Sequence, residues 1–148
     1  MRAPLPAAPG DVFELTSFLA AADLTTVGLD NPDLHLWVDL DADGRITAST
    51  GFELVGSHAL IRSVAVAAGL RGQGRGLELA RYALETATTL GATHAWLFSR
   101  RSGEFWQKLG FHRTDITELV AAVGSTAQVR AFVASGQINF EVGYSRPL

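Results

Sequence analysis

Between Leu70 and Gly91 the chain reads LRGQGRGLELARYALETATTLG, with three glycines and two arginines crowded into Arg71–Gly76 ahead of a helix-forming run. A loop stripped of side chains, opening onto a helix whose first N–H groups lack internal partners, suits an anion at the positive end of the helix dipole. Arg71 and Arg75 add charge-assisted contacts of the kind phosphate takes. Two common nucleotide loops fail on spacing. Gly72 and Gly74 lead to Leu77, and Gly74 and Gly76 to Leu79, where the dinucleotide fingerprint needs a third glycine; no Gly-Lys-Ser/Thr follows for a P-loop. A plain solvent turn would use one glycine.

The flanks give the loop its setting. ALIRSVAV, from Ala59 to Val66, is apolar on both faces save Arg62 and Ser63, as in a buried strand with Arg62 on the face of Leu60 and Val64. Leu79, Ala80, Ala83, Leu84, Ala87 and Leu90 mark the buried face of the helix, and Glu78, Arg81 and Glu85 its outer charged row. Gly91 stops it, and THAWLFS reads as the next strand, so the unit predicts a right-handed parallel crossover. Upstream, Val12, Leu15, Phe18, Leu19 and Ala22 align on a first helix capped by Asp11. HLWVDL alternates as a strand, Asp43-Gly44 makes a hairpin, and ITASTGFELV returns with Ile46, Ala48, Thr50, Phe52 and Leu54 on one face. Thr47, Ser49, Gly51 and Glu53 form the other face, small and polar enough to line a cleft. Downstream, SGEFWQKLG predicts a short helix and FHRTD a strand start. ITELVAAV and TAQVRAFVA predict helices on either side of Gly124, and INFEVGY a last strand. The fold class is α+β, a mixed and mainly antiparallel sheet flanked by helices on both faces, in a single domain over residues 1–148.

A chain that is 47% apolar and 18% charged has the makings of one buried core. Its formal charge of −3 gives no case for nucleic acid or an anionic membrane as partner. The absence of cysteine removes thiol nucleophiles and thiolate metal sites. The opening MRAPLPAAPG has no apolar signal region, and the longest apolar run, SVAVAAGL, falls well short of the ~20 residues of a membrane span, so a cytoplasmic protein is expected. His35, His58, His94 and His112 have no metal-ligand spacing, with His58 alone kept as a spare base. DLDADG imitates the start of a calcium loop through Asp39, Asp41 and Asp43, yet its twelfth position is Thr50 and its flanks are strands; no metal is expected.

The order of strand, RGQGRG loop, helix, strand and FWQKLGF resembles the GNAT superfamily of N-acetyltransferases. Arg71, Gly74 and Gly76 fit the family's Arg/Gln-x-x-Gly-x-Gly/Ala loop, and Leu109-Gly110-Phe111 its later turn. What the resemblance implies is a strand-loop-helix-strand core binding acetyl-CoA. Its pyrophosphate would lie on the backbone of Arg71, Gly72, Gln73, Gly74, Arg75, Gly76 and Leu77. Its pantetheine arm would pair with Val64, Ala65 and Val66, and Ser102, Phe105 and Trp106 would complete the cofactor site. An N–H near Val64 would polarise the thioester carbonyl, and a small-molecule amine would attack directly. GFE, LIRSVAV and FWQKLGF are also similar to a subgroup found with arsenic-resistance genes, and more loosely to amino-acid N-acetyltransferases, although ASGQINF stands where that subgroup carries a Cys-Pro pair.

Many members place a tyrosine at the position of Trp106 to protonate the leaving thiolate. An indole donates a hydrogen bond but is no useful proton source, so Ser102, water or the thiol itself must serve, and Trp106 otherwise reads as a packing aromatic. Glu53 is the candidate general base or ammonium binder, or else a plain strand carboxylate. Arg62, a charge in an apolar strand, needs a carboxylate partner, which is either Glu53 or the carboxylate of an amino-acid-like substrate. Two other functions fit the same residues: an acyl-CoA-binding sensor without turnover, and an acetyltransferase acting on proteins or peptides. A homodimer through the edge strand is a further expectation.

Overall fold

The computed structural model describes residues 1–148. In chain order its elements are β1 (Leu5–Pro6), α1 (Val12–Ala21), β2 (Leu34–Leu40), β3 (Ile46–Val55), β4 (His58–Val66) and α2 (Arg75–Thr89). There follow β5 (His94–Phe98), α3 (Gly103–Lys108), β6 (His112–Thr114), α4 (Ile116–Val123), α5 (Ala127–Ser135) and β7 (Gly143–Pro147). The strands make one seven-stranded sheet in the order β1-β2-β3-β4-β5-β7-β6. Only β4 and β5 run parallel, and α2 makes the crossover between them.

Alternation in the strands divides the core. On one face Leu34 and Val38 of β2 meet Leu15 and Leu19 of α1, and Leu60 of β4 meets Leu119, Val123 and Val129 of α4 and α5. On the other face Phe52, Ala59, Ile61, Ala95 and Leu97 pack under Ala80, Ala83, Leu84 and Ala87 of α2 and Trp106 of α3. The sheet is therefore mixed, mainly antiparallel and covered by helices on both faces.

Two bulges break the expected face assignment. Asp39 pairs with Ala48 but Leu40 with Ile46, so Thr47 is an extra residue and Ile46 swings to the α1 side. In β4, Ser49 pairs with Ala65 and Gly51 with Arg62, which leaves Ser63 and Val64 opposite the single residue Thr50. Val64 consequently packs toward the α2 core, while Arg62 stays on the Leu60 side; the two do not share a face. Three smaller expectations also change. Leu90 caps α2 and is half exposed, because the helix ends before it can turn inward. Asp11 accepts a hydrogen bond from the N–H of Ala8 (2.7 Å) instead of capping α1. Residues Gln137–Phe140 coil into a single 3-10 turn after Gly136, so the last strand begins only at Gly143.

Candidate active site

β4 and β5 pair over His58–Leu60 and His94–Trp96 and then diverge. From there β4 remains paired only with β3, up to Val66, and β5 only with β7, up to Phe98. The edge of β4 from Ile61 to Val66 thus faces a wedge with no strand in it. At the fork lies a cleft of about 180 Å³, bounded by Ile61 to Val64, by Leu97 to Ser102 after β5, and by Trp106. Its remaining walls are residues 22–25 after α1, Gln128 and Phe132 of α5, and Gln137 and Glu141 beyond it. The only non-glycine residues with left-handed backbone, Asp23 (φ 59°) and Ser63 (φ 62°), both line this cleft. Backbone strain of this kind, worth roughly 1–3 kcal/mol each, persists where the surroundings enforce it and gathers at functional sites. The Ser63 strain is enforced locally, since its carbonyl accepts from Ser49 Oγ (2.6 Å) and its Oγ from Arg62 Nε (3.3 Å).

The glycine loop leaves β4 at the mouth of the wedge and ends at Gly74, the N-cap of α2 with φ 85°. A Cβ built on Gly72 or Gly74 meets nothing within 4 Å, so no other part of the protein covers the loop there. Arg71 is exposed, its Nε donating to the Val66 carbonyl (3.0 Å), which leaves the rest of the guanidinium facing outward. Gln73 is exposed as well, and Leu77 packs against the core beneath α2. Arg75 departs from the expected phosphate role. Its Nε and Nη2 donate to Asp39 Oδ2 and Oδ1 (2.6 and 2.7 Å), with only 12% of its side chain exposed. The Arg75 hydrogen bonds hold the Asp39 carboxyl below the usual range, and Asp39 in turn raises the Arg75 guanidinium. Arg75 therefore fastens the start of α2 to β2, and Asp39 is not free for a calcium-like role.

Glu53 and Arg62 are brought together, on the buried side of the cleft. Arg62 Nη1 donates to Glu53 Oε2 (3.1 Å), Nη2 to the Val27 carbonyl (2.6 Å), and its side chain is 1% exposed. Glu53 also accepts the N–H groups of Ala127 (2.7 Å) and Gln128 (3.2 Å) at the start of α5. Burial pushes the Arg62 guanidinium down and the Glu53 charge opposes that shift. The reading of Glu53 as an accessible base, and of Arg62 as a substrate anchor, is corrected by this arrangement. Both are consumed in a hub that joins β3, the β4 bulge, the loop after α1 and the start of α5.

Ser102 stands exposed at the N-cap of α3 on the rim of the cleft. Trp106 is 7% exposed and meets Phe105 and Phe111 edge-on, so it is a packing aromatic that also lines the cleft. His58 accepts from Trp96 Nε1 (3.1 Å) at the far end of β4 and takes no part here. Sequence reading missed Arg100, Gln128 and Glu141. Glu141 lay in a segment read as strand, whereas Gln128 carried a legible sign, an amide on the buried side of a helix between apolar neighbours.

Strand, open glycine loop, helix and splayed strand follow one another around the fork. Residues 7–111 match the family model described as acetyltransferase (GNAT) family, and the chain belongs to that family, as an acetyl-CoA-dependent acyltransferase. Among solved structures, a GNAT-family acetyltransferase of Staphylococcus aureus Mu50 is similar, with TM-score 0.77, 15% identity and coverage of 99% and 98% of the two chains. Rv2747 of Mycobacterium tuberculosis, solved with CoA and NLQ, gives TM-score 0.73 at 16% identity, covering 99% of each chain. N-acetylglutamate synthase of Neisseria gonorrhoeae, solved with coenzyme A and N-acetyl-glutamate, gives 0.70 at 14% identity, over 96% of this chain and 34% of that one. At these identities the likeness is one of fold. A comparison with curated protein sequences finds no significant match.

Proposed function

We propose that the protein transfers the acetyl group of acetyl-CoA directly to the amine of a small amino acid or amino-acid-like compound. The observation that carries this reading is the fork itself: an unpaired β4 edge, held in a strained bulge, opens onto a small cleft bearing both signs of charge. The edge from Val64 to Val66 can hold an extended amide-bearing arm by strand-like hydrogen bonds, and the open loop at Gly72 and Gly74 its phosphates. A backbone N–H at the bulge, near Val64, would polarise the thioester carbonyl. The family's acetyl donor supplies the activated acyl group. No enzyme nucleophile is needed, which suits a chain without cysteine.

A cleft of about 180 Å³ favours a small acceptor over a peptide. Its rim is bridged by an ion pair between Arg101 and Asp23, and its wall carries Arg100 beside Glu141, so a zwitterion would find a partner for each charge. With Arg62 turned inward, Arg100, 43% exposed, and the more exposed Arg101 are the arginines that a substrate carboxylate could reach. An α-amino group, with pKa about 8, sheds its proton more readily than a lysine ammonium near 10.4. The N-acetyl-glutamate bound by the gonococcal relative supports the same acceptor class.

CoA-thiol release from acetyl-CoA against amino acids, polyamines, aminoglycosides and peptides tests the reading, with Gly74→Asp as a blocked-loop control. Turnover is expected on carboxylate-bearing amines and is lost in the control. Binding of acetyl-CoA without turnover on any acceptor would replace the enzyme with an acyl-CoA-binding module.

A further inference from the structure

The family match ends at residue 111, yet one wall of the cleft is built by later residues. α5 brings Gln128 and Phe132, one helical turn apart, to the same surface, and the chain after the 3-10 turn brings Glu141. Gln128 is 7% exposed, and its Oε1 is the one buried side-chain polar atom in the protein without a hydrogen-bond partner. An enclosed amide oxygen left unpaired, on a residue that lines the cleft, is a costly feature that a ligand N–H would satisfy once the amide turns toward it. Its placement is not accidental to the fork, because the N–H of the same residue donates to Glu53, which holds Arg62 beside the β4 bulge. Glu141 lines the same wall. Its side chain is 5% exposed, its Oε2 accepts from Gln137 Nε2 (3.0 Å) and lies 3.4 Å from Arg100 Nε, and no protein group donates to its Oε1.

Resting on the reading above, we propose that Gln128 and Glu141 form the acceptor-amine subsite, Gln128 Oε1 accepting an N–H of the amine and Glu141 taking the proton that a primary ammonium must shed. The ammonium gives one proton to Glu141, directly or through one water, and Glu141 passes it to solvent through the open cleft. Gln128 holds one of the two remaining N–H bonds, which turns the freed lone pair toward the bulge. As the C–N bond forms and the C–S bond breaks, nitrogen loses a second proton and the departing thiolate takes it up, so the products are the N-acetyl compound and the CoA thiol. An alcohol must surrender its only O–H proton and has none left for Gln128; the subsite therefore selects amines over hydroxyls. The charged groups around Glu141 are Arg100 on the β5–α3 loop, the Arg101–Asp23 pair across the rim and the Arg62–Glu53 pair behind.

The test uses the full chain and three readouts on wild type, Gln128→Leu and Glu141→Gln. In the absence of ligand, Gln128→Leu should melt at or above the wild-type temperature, since it removes an unpaired buried oxygen. With the panel amine that turns over best, its KM should rise about tenfold, the equivalent of one lost hydrogen bond, at unchanged KM for acetyl-CoA. Glu141→Gln should lower kcat about 10²-fold or more, with a rate that climbs with pH as solution deprotonates the amine itself. The third readout is the thermal shift given by glycine, glutamine and putrescine on the CoA-loaded protein, which needs no turnover. An amine-induced shift present in wild type and absent in Gln128→Leu supports the subsite even if the catalytic reading fails. The same amine shift and KM in Gln128→Leu as in wild type, or an unchanged kcat and pH profile in Glu141→Gln, would overturn it.

Discussion

Gly74 and Gly76 look equivalent in the motif, and the structure gives them different reasons to be glycine. Gly74 is locked at φ 85°, where an L side chain costs roughly 1–2 kcal/mol, and the empty space around its Cβ position offers no contact in return. Gly76 lies inside α2 with ordinary helical backbone, and a Cβ there would touch Val66 Cγ2 at 3.7 Å, a normal van der Waals distance. Gly74→Ala should therefore destabilise the fold by about 1–2 kcal/mol. It should also raise KM for acetyl-CoA several-fold, because the N–H groups of the loop are re-aimed. Gly76→Ala should gain about 0.5–1 kcal/mol from helix propensity and shift that KM far less. Urea unfolding and acetyl-CoA titration of both variants check this pair. Equal losses in the two would mean that the loop excludes side-chain bulk as such, and that the left-handed turn is incidental.

α5 is a nine-residue helix, too short to be stable by itself, and it carries half of the acceptor wall. Two devices hold its first turn: Thr126 Oγ1 accepts the N–H of Val129 (3.3 Å), and Glu53 from β3 accepts those of Ala127 and Gln128. A buried carboxylate at a helix N-terminus is favourable twice over here, through the helix dipole and through Arg62. Glu53→Gln leaves Arg62 charged and uncompensated in the interior, so a loss of about 3–5 kcal/mol is expected. Amides of α5 should exchange with deuterium well before those of β3 and β4. Glu53→Leu combined with Arg62→Leu should cost less than the sum of the single changes, since the pair removed together leaves no orphan charge. Unchanged exchange in α5 on Glu53→Gln would deny Glu53 its anchoring role. These contacts explain what the sequence showed and what it hid. The α2 stripe, the Arg71–Gly76 loop and the apolar strand before it were legible because their signals repeat over adjacent residues. The extra residues Thr47 and Ser63 were not, because a one-residue slip reverses a strand's faces without altering its composition. Glu53 was read as a cleft carboxylate because its partners at Ala127 and Gln128 lie more than seventy positions away, beyond any local pattern. Glu141 was hidden by apolar neighbours that imitate a strand while the chain coils at Gln137–Phe140.

The whole sheet is closed at its ends by very short strands, two residues in β1, one of them Pro6, and three in β6. Such edges offer little backbone to a second copy, which weighs against the expected dimer by strand pairing. No helix is long and apolar enough to cross a membrane. What ties the N-terminal half of the sheet to the glycine loop is Asp39 on β2, which accepts from Arg75 at the start of α2 and from Arg2 (3.4 Å) near the N-terminus. Its side chain is 4% exposed, so the bidentate pair works in a partly dehydrated setting and should contribute about 1.5–3 kcal/mol. The pair also gives the molecule a definite response to acid. Because Arg75 holds the Asp39 carboxyl below its unfolded value, that stabilisation is fully present above the ordinary carboxylate pKa of about 3.9 and is lost as pH falls through the folded one. At pH 7, Asp39→Asn should lower the melting temperature by roughly 3–10 °C. The gap between wild type and Asp39→Asn should begin to narrow below about pH 4 and close as pH falls through the lowered folded value, where wild type carries a neutral acid in place of the carboxylate. Melting curves of both proteins from pH 7 down to 3 measure that convergence. A gap that stayed constant through the acid range would show that Asp39 stabilises by shape and neutral hydrogen bonding, and the charge linking β2 to the glycine loop would have to be given up.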